Sequence, residues 1–542
     1  MWGKRMVALV ALAVVAGACG DDGDDADARA GTSPASPAAT TEAQEGSSDE
    51  QCTEERKGGS LTFATVVRTT ALDPIIALGS GGAGGIELSA LYDNLLRYDP
   101  ATGEFEPHVA ESFSSNEDRT EWTVKLRPGI TFGNGDPLTA DAVKFSFERM
   151  ATARVSSSAL AATVETMTVV DPLTIVFRLK APFGQFPYVL AEDTGAIVNP
   201  NVVNERGAEA FNMNPTGAGV GPFELQRFAP GEEVVMKAKD DYWGGPVCID
   251  TLRFVSIPGA AGTYEAFTNG EVDMAYLSEP LVVAKAEEDG AQGYTNIANA
   301  STLLFMNIGV RNTSSPLEDI RIRRAVVAAI DVDLINTRVY EGHGLTTSAL
   351  IWEDSPLYTG AEGPAYDPDL ARRLVDEAKG AGWDGHLRLI GSNVPLMHNL
   401  AITVEGMLEA VGMEIDVETL EPTEASRRIL IEPDFDLGIS GMSIYESSPY
   451  ARLDQFETGS VRSRTGLSHP DMDAALDELR RAASREEKQA AIAEIQRVWN
   501  EDVPSAVIAS AKELVATHDH VRGVVYSRDT VPLFHQAFVV AS

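Results

Sequence analysis

The chain has 542 residues, which at roughly 150 residues per domain predicts three to four domains. Its 43 Lys and Arg residues against 81 Asp and Glu residues give a net charge of −38 at pH 7, which argues against clustered cations for binding phosphate and makes nucleic acid a poor partner. The hydrophobic content of 44% and the mean hydropathy of −0.09 are typical of a soluble globular protein, so only a local segment can be membrane-directed.

A secretory signal sequence is predicted over residues 1–18. Lys4 and Arg5 precede an apolar run over 6–18, which is shorter than the ~20 residues that a membrane-spanning helix needs. The run ends in Val-Ala-Gly-Ala directly before Cys19, and this arrangement resembles the lipobox of bacterial lipoproteins. The resemblance implies that the thiol of Cys19 takes a diacylglycerol, which anchors the protein to the outer face of the bacterial cell membrane. Plain secretion, with Cys19 an incidental residue, is the alternative.

A disordered tether is predicted over 19–58, between the lipid and the globular body. The segment 20–51 contains none of Val, Ile, Leu, Met, Phe, Trp or Tyr, so burial cannot offset the entropy of ordering it. A flexible chain of this length spans roughly 30 Å, which lets the body move above a membrane surface. The acidic run over 21–25 is interpreted as a solvated spacer, since no fixed geometry holds its carboxylates together.

Two cysteines remain if Cys19 carries lipid, namely Cys52 and Cys248. An extracytoplasmic location permits a disulfide between them. Such a bond closes a very long loop and stabilises the fold by about 4 to 5 kcal/mol in the chain-entropy model. Two free thiols are the alternative.

The globular body begins near Ser60 and shows both strand and helix patterns. Period-two alternation predicts strands over 61–66, 122–126 and 173–179. The globular body therefore combines strands with helices.

Helical signals are clearest in the last third of the chain. Asp367 is the expected N-cap of a helix that Pro368 opens, and apolar residues follow at intervals of four up to Ala378. The stretch 387–420 has a strand–helix–strand pattern, which predicts a parallel βαβ unit.

The sequence lacks the common motifs of zinc proteases, serine hydrolases and P-loop nucleotide-binding proteins. The eight histidines include no HExxH pair, and neither G-x-S-x-G nor a Walker A motif occurs. His518 and His520 are interpreted as a polar loop pair. The run over 79–84 fits G-x-G-x-x-G, but Pro74 breaks the strand that a dinucleotide fold requires before it, so a flexible glycine loop is the interpretation. We therefore expect no enzyme activity, no metal and no cofactor.

Four short segments carry a resemblance to a known family. Residues 110–143 contain Glu-Trp-Thr-Val-Lys-Leu-Arg-Pro-Gly-Ile-Thr-Phe-Gly-Asn-Gly-Asp-Pro-Leu-Thr-Ala-Asp-Ala-Val, which predicts a strand, a turn, a hairpin tip and a helix capped by Thr139. Further elements are Gly-Val-Gly-Pro-Phe at 219–223, Asp-Tyr-Trp at 241–243 and Arg-Ile-Arg-Arg-Ala at 321–325. Together they resemble family 5 extracytoplasmic solute-binding proteins, the binding components of ABC importers.

The resemblance extends from about residue 59 to residue 540. It implies an α/β periplasmic-binding-protein-like fold with two lobes (type II, cluster C) and an extra inserted subdomain. The solute is expected in a cleft between the lobes, enclosed by hinge closure. The implied boundaries are 59–91, 216–300 and 507–542 for a discontinuous domain I, 92–215 for domain II and 301–506 for domain III.

The candidate solute contacts are predicted where the chain departs from peptide-binding relatives. Their run F-D-V-x-x-x-G-W-x-x-D, whose aspartate takes a peptide α-ammonium, matches Phe-Asp-Leu-Gly-Ile-Ser-Gly-Met-Ser-Ile-Tyr over 435–445. Met442 stands for the tryptophan and Tyr445 for the aspartate. Glu446 either replaces the lost carboxylate or faces solvent, because strand neighbours point to opposite faces. The candidates in this run are Met442, Ser443, Tyr445 and Glu446. Arg68, Thr69 and Thr70, which follow the first strand, are further candidates, and an ordinary exposed loop is the alternative for these three.

The expected function is that of an extracytoplasmic receptor that captures a peptide-like or other small solute and delivers it to the permease and ATPase of an ABC importer. Loss of the acidic anchor favours a solute without an obligatory free α-ammonium, such as a blocked peptide, a glycoside or another neutral amphipathic molecule. The protein is expected to be a monomer. A lipoprotein sensor or chaperone on the same fold, not coupled to import, is the alternative.

Overall fold

The computed structural model describes residues 52–65, 67–77, 85–153, 157–312 and 314–540, all in one unit. The predicted signal sequence, Cys19, most of the tether and the glycine run at 79–84 lie outside these residues.

The strands are short except for two long ones near the middle and the end of the chain. They are β1 Ser60–Thr65, β2 Leu96–Asp99, β3 Glu104–Pro107, β4 Ala110–Ser115, β5 Glu121–Leu126, β6 Val164–Asp171, β7 Thr174–Leu179, β8 Phe223–Ala229, β9 Glu233–Ala238, β10 Thr251–Ser256, β11 Met274–Leu277, β12 Gly293–Met306, β13 Leu345–Thr346, β14 His386–Ser392, β15 Glu414–Leu420, β16 Leu437–Ser440, β17 Ser505–Thr517, β18 Val521–Arg522, β19 Val525–Tyr526, β20 Pro532–Leu533 and β21 Phe538–Val539.

The α-helices range from one turn to five turns. They are α1 Ile86–Tyr92, α2 Ala140–Ala151, α3 Ser157–Ala161, α4 Phe186–Ala191, α5 Pro200–Arg206, α6 Ala208–Met213, α7 Ala260–Thr268, α8 Pro280–Glu288, α9 Ile320–Ala329, α10 Val332–Val339, α11 Pro368–Gly380, α12 Pro395–Ala410, α13 Pro422–Ser426, α14 Tyr450–Leu453, α15 Pro470–Arg481 and α16 Arg485–Asp502. In the described part of the chain no helix has the length and apolar character needed to span a bilayer.

Eleven of the described strands form one mixed sheet, in the order β15-β14-β16-β12-β17-β11-β1-β10-β9-β8 with β13 beside β17. The two long strands β12 and β17 pair antiparallel at its centre. They therefore join the strands of the first half of the chain to those of the second half. Strands β14 and β15 pair in parallel and α12 connects them, so the predicted parallel βαβ unit is confirmed.

A second, antiparallel sheet has the order β4-β5-β7-β6. Its buried residues alternate along β5 and β7, as the period-two patterns predict. Thr139 caps α2 by accepting the backbone N–H of Ala142, and this helix packs Val143 and Phe147 into the core below the sheet. This sheet lies within the predicted domain II, whose boundaries stay a prediction.

The largest core cluster joins the small sheet to the last third of the chain. It contains Trp122 and Phe186 together with Tyr450 and Trp499, all buried. Phe183, just before α4, meets Tyr450 with ring centroids 5.6 Å apart. Each large apolar side chain buried in this way stabilises the fold by about 1.5 to 3 kcal/mol, so α4 is firmly held against the 450–499 region.

The N-terminal end of the described chain is tied to the large sheet by a disulfide. Cys52 and Cys248 are joined with a Cα–Cα distance of 5.7 Å, and Cys248 is buried. The backbone N–H of Gly58 also donates to the carbonyl of Cys248 at 2.9 Å. Residues 52–59 therefore lie against the chain that leads into β10.

Candidate ligand-binding cleft

A cleft of about 490 Å³ opens where the two halves of the large sheet meet. Its wall is built from the end of β2, the first part of β12, the chain after β16 and the turn before β20. The lining residues are Tyr98, Pro100, Ala101, Tyr294, Thr295, Asn296, Ile297, Asp354, Pro356, Tyr445, Glu446, Ser447, Lys512, Ser527 and Asp529.

The cleft exists because β12 and β16 separate. They pair only over Leu303–Met306 of β12, whereas the first part of β12 pairs with β17 alone. Between these regions Ala300 and Ser443 both have positive φ, 45° and 60°, which bends the two chains apart. Asn299 and Ile444 still exchange backbone hydrogen bonds of 3.1 and 2.7 Å. Beyond that contact, residues 294–297 and 445–447 face one another across open space.

Tyr445 lines the cleft and is fixed from behind by a buried acid. Its hydroxyl donates to Oε1 of Glu513 at 2.8 Å, and the hydroxyl of Tyr276 donates to the same oxygen at 2.7 Å. The hydroxyl of Thr530 donates to the other carboxylate oxygen. Burial raises the pKa of Glu513, and it raises the pKa of Tyr445 well above its usual value. Tyr445 therefore presents a neutral aromatic ring to the cleft.

Glu446 also lines the cleft, and its charge is compensated. Its carboxylate forms an ion pair with Nε of Arg485, and Nζ of Lys488 donates to its backbone carbonyl at 3.0 Å. Both cations come from the first turn of α16, where the Ser484 side chain caps the helix and so fixes their position. Burial lowers the pKa of Lys488 to about 8. The Arg485 guanidinium therefore competes with an incoming ammonium group for the charge of this carboxylate.

The other charged residues of the cleft mostly have partners too. Asp529 accepts the hydroxyls of Ser447 and Tyr188 at 2.6 and 2.8 Å, and Nη1 of Arg528 lies 3.5 Å from the same carboxylate and balances its charge. Lys512 pairs with Glu287 at 2.9 Å. Asp354 is exposed at the rim, where solvent screens it. The inner wall is therefore close to electrically neutral.

Two more tyrosines give the cleft its aromatic character. The ring of Tyr294 stacks on Tyr526 with centroids 4.3 Å apart and an interplanar angle of 15°, which leaves its other face for the cleft. Tyr98 is 5% exposed, and burial, together with the adjacent carboxylate of Glu446, raises the pKa of its hydroxyl. Tyr98 therefore adds a second neutral tyrosine to the cleft wall, beside Glu446.

The structure places two of the seven predicted contact residues, Tyr445 and Glu446, on the cleft wall. Met442 is buried in the large core cluster, and Ser443 donates its backbone N–H to Ala300. The predicted roles of these residues as solute contacts stay predictions.

The predicted loop candidates lie after β1. Arg68 and Thr70 are exposed, and the hydroxyl of Thr69 donates to the buried carboxylate of Glu87. None of these three residues lines the cleft in the described part of the chain.

Sequence reasoning missed Tyr98, Tyr294 and Asp529, because nothing in their local sequence marks them. A signal did exist for Glu513. It is a lone acid directly before the apolar run Leu-Val-Ala in a strand, which is the pattern of a buried carboxylate that needs partners. The described residues contain no group of three or more His, Cys, Asp or Glu that could hold a metal ion.

Comparisons with known proteins agree on one family. The family model described as "Bacterial extracellular solute-binding proteins, family 5 Middle" matches residues 104–463. The probable D,D-dipeptide-binding periplasmic protein of Escherichia coli K12 is 24% identical over 467 residues, which are 82% of this chain and 87% of that protein.

Solved structures establish the same fold. The oligopeptide-binding protein AppA from Bacillus subtilis, in complex with a nonapeptide, matches with a TM-score of 0.74 and 19% identity over 90% of this chain and 100% of that chain. The periplasmic binding protein DppA from Helicobacter pylori, in complex with a peptide, matches with a TM-score of 0.73 and 20% identity over 90% and 99%. The predicted two-lobe α/β fold is confirmed. Because the family description covers more than half of the chain, this protein belongs to family 5 of the bacterial extracellular solute-binding proteins.

Proposed function

We propose that this protein is the solute receptor of an ABC importer and that it selects solutes without a free α-ammonium group. The observation that carries this proposal is the neutral, tyrosine-lined wall of the cleft. Of the predicted contacts we carry forward Tyr445 and Glu446, and we add Tyr98 and Tyr294.

The electrostatics support a neutral solute. A buried ammonium needs a carboxylate that is free to pair with it, because an unpaired charge in a closed cleft is costly. Tyr445 has no charge to offer, and Glu446 already pairs with Arg485. Asp529 has a hydroxyl donor on each of its oxygens and already pairs with Arg528. Asp354 is exposed at the rim, so solvent screens its charge and it attracts an ammonium group only weakly.

The size of the cleft supports a small solute. A volume of about 490 Å³ lies within the range of about 300 to 1,000 Å³ that is usual for small-molecule sites. The relative from Escherichia coli is described as D,D-dipeptide-binding, and the two solved structures hold peptides. A blocked or modified peptide is therefore the first candidate, with a glycoside or another neutral amphipathic molecule next.

Calorimetry with matched tripeptide libraries, free and N-acetylated, tests this selectivity. We expect the acetylated library to bind at least as tightly as the free one. The Arg485→Gln variant releases the carboxylate of Glu446. The ratio of the dissociation constants for acetylated and free peptides should therefore shift in favour of the free peptides by about tenfold, or about 1.4 kcal/mol.

Arg497→Gln is the matched control. It removes an exposed arginine of the same helix that pairs with Glu494 and Glu501 far from the cleft, so it should leave the ratio unchanged. Tight binding of free peptides by the unaltered protein, lost on acetylation, would show that an ammonium anchor survives and that the proposed selectivity is wrong.

We further propose that Cys19 carries the lipid that holds this receptor at the outer face of the cell membrane, beside the permease and ATPase. The signal pattern and the polar tether support this anchor. Replacing Cys19 with Ser should move the protein from the membrane fraction to the soluble fraction, as immunoblots of fractionated cells would measure. Cys52→Ser, which keeps Cys19, should stay in the membrane fraction, and unchanged partitioning of Cys19→Ser would contradict the anchor.

A further inference from the structure

A strained turn lies directly behind the cleft. Asp529 and Thr530 have φ values of 49° and 66°, in the left-handed region that side chains other than glycine rarely adopt. The conformation is especially unfavourable for threonine, whose Cβ is branched. Both residues are buried, at 4% and 0% exposure. Such strain persists only where surrounding contacts enforce it, and it is concentrated at functional sites.

Two of these contacts come from the cleft wall. The hydroxyl of Ser447 donates to Oδ1 of Asp529 at 2.6 Å. Thr530 donates to Glu513, which in turn accepts the hydroxyl of Tyr445 at 2.8 Å. Ser447 and Tyr445 both line the cleft. A solute that touches either side chain therefore touches a group that holds the turn.

Further contacts of the turn come from α4 and from Asp193, just after it. The hydroxyl of Tyr188 donates to Oδ2 of Asp529 at 2.8 Å. Nε of Arg528 donates to the carbonyl of Ala191 at 2.8 Å, and its Nη2 pairs with Asp193 at 3.1 Å. The carboxylate of Asp529 thus joins a cleft residue on one oxygen to a residue of α4 on the other.

The start of α4 is docked on a part of the chain far from it in sequence. The side-chain oxygen of Gln185 accepts the hydroxyl of Ser448 at 2.9 Å, and its nitrogen donates to the carbonyl of Leu479. The backbone N–H of Gly184 donates to the carbonyl of Arg480 at 2.9 Å. Movement of α4 therefore changes how the small sheet is held against the 448–480 region.

We propose that residues 528–530, the Asp529 turn, couple the occupation of the cleft to the docking of α4, and that Asp529 is the positioning residue of this coupling. The proposal rests on the cleft being the solute site. When Ser447 and Tyr445 hold their hydrogen bonds, the turn stays strained and Tyr188 stays fixed. When these hydroxyls reorient, the turn relaxes and releases α4.

Hydrogen exchange on the unliganded full chain, with its disulfide intact, tests the coupling without any solute. In Ser447→Ala the amides of 186–191 should exchange at least tenfold faster, because the side-chain hydrogen bond lost there is to Asp529. In Tyr188→Phe the amides of 445–447 should exchange faster, since a coupling between two sites is reciprocal.

Ser355→Ala is the matched control. Ser355 is also a buried serine beside the cleft, but it accepts a hydrogen bond from Asn299 and does not touch the turn. It should leave the exchange of 186–191 unchanged. Faster exchange confined to the neighbours of each substitution, in both Ser447→Ala and Tyr188→Phe, would overturn the coupling.

The two proposals fail in different ways. A co-purified solute that stays bound when Thr295→Trp fills the cleft, with both exchange effects present, contradicts the proposed solute site and supports the coupling. The coupling alone is overturned if solute binds but the amide exchange of 186–191 is unchanged in Ser447→Ala and that of 445–447 is unchanged in Tyr188→Phe.

Discussion

Removing the disulfide between Cys52 and Cys248 is expected to lower the free energy of unfolding by about 5 kcal/mol. The bond closes a loop with a sequence separation of 196 residues, so its loss restores much conformational freedom to the unfolded chain. The double variant Cys52→Ala/Cys248→Ala avoids placing a new polar group at the buried position 248. Urea unfolding followed by circular dichroism measures the change.

The unaltered protein with its disulfide reduced is the control for this variant. Both proteins lack the crosslink, so their unfolding midpoints should agree and should lie well below that of the oxidised protein. Equal midpoints for oxidised and reduced protein would contradict a stabilising role for the bond.

Replacing Arg323 with methionine is expected to lower the free energy of unfolding by about 3 to 5 kcal/mol, because a buried charge partner is removed. Arg323 is 3% exposed, and its Nη2 pairs with the carboxylate of Asp502 at 2.9 Å. Its guanidinium also donates to the carbonyls of Leu317, Glu318 and Asp502. Methionine fills similar space but leaves these acceptors without a donor.

The neighbouring Arg324→Met is the matched control. Arg324 is exposed and makes one hydrogen bond, to the carbonyl of Glu501 at 2.8 Å, so its loss should cost under about 0.5 kcal/mol. Both variants lose one positive charge, but only Arg323 is buried. Comparing their free energies of unfolding in urea therefore separates the effect of the buried contacts from that of the charge. Similar losses for the two variants would show that the contacts of Arg323 are not what stabilises the end of α16.

The helices and strands with strong local signals were predictable from the sequence. Asp367 caps α11 by accepting the backbone N–H of Leu370, and Pro368 occupies its first turn, as the sequence indicates. These features depend only on residues that are close together in the sequence, so the sequence alone is enough to predict them. The order of strands in the large sheet was not predictable, because β12 and β17 meet across some 200 residues.

The candidate site was predictable only in part, for the same reason. Tyr445 and Glu446 were found because they fall in a run that resembles the family pattern. The partner that decides the charge of Glu446 is Arg485, 39 residues away, and the acid behind Tyr445 is Glu513, 68 residues away. Asp529 and Tyr98 come from still more distant segments. A cleft built from separate segments leaves no local pattern for its electrostatics.

Native mass spectrometry of the full chain, purified without refolding, tests the central claim of solute capture in this cleft. We expect one bound solute without a free amine on the unaltered protein. Thr295→Trp should abolish it, since this exposed residue lines the cleft and the larger ring fills the space. Thr168→Trp, on an exposed position of β6 outside the cleft, should retain the solute. A solute that remains bound to Thr295→Trp at the level of the unaltered protein would contradict the account.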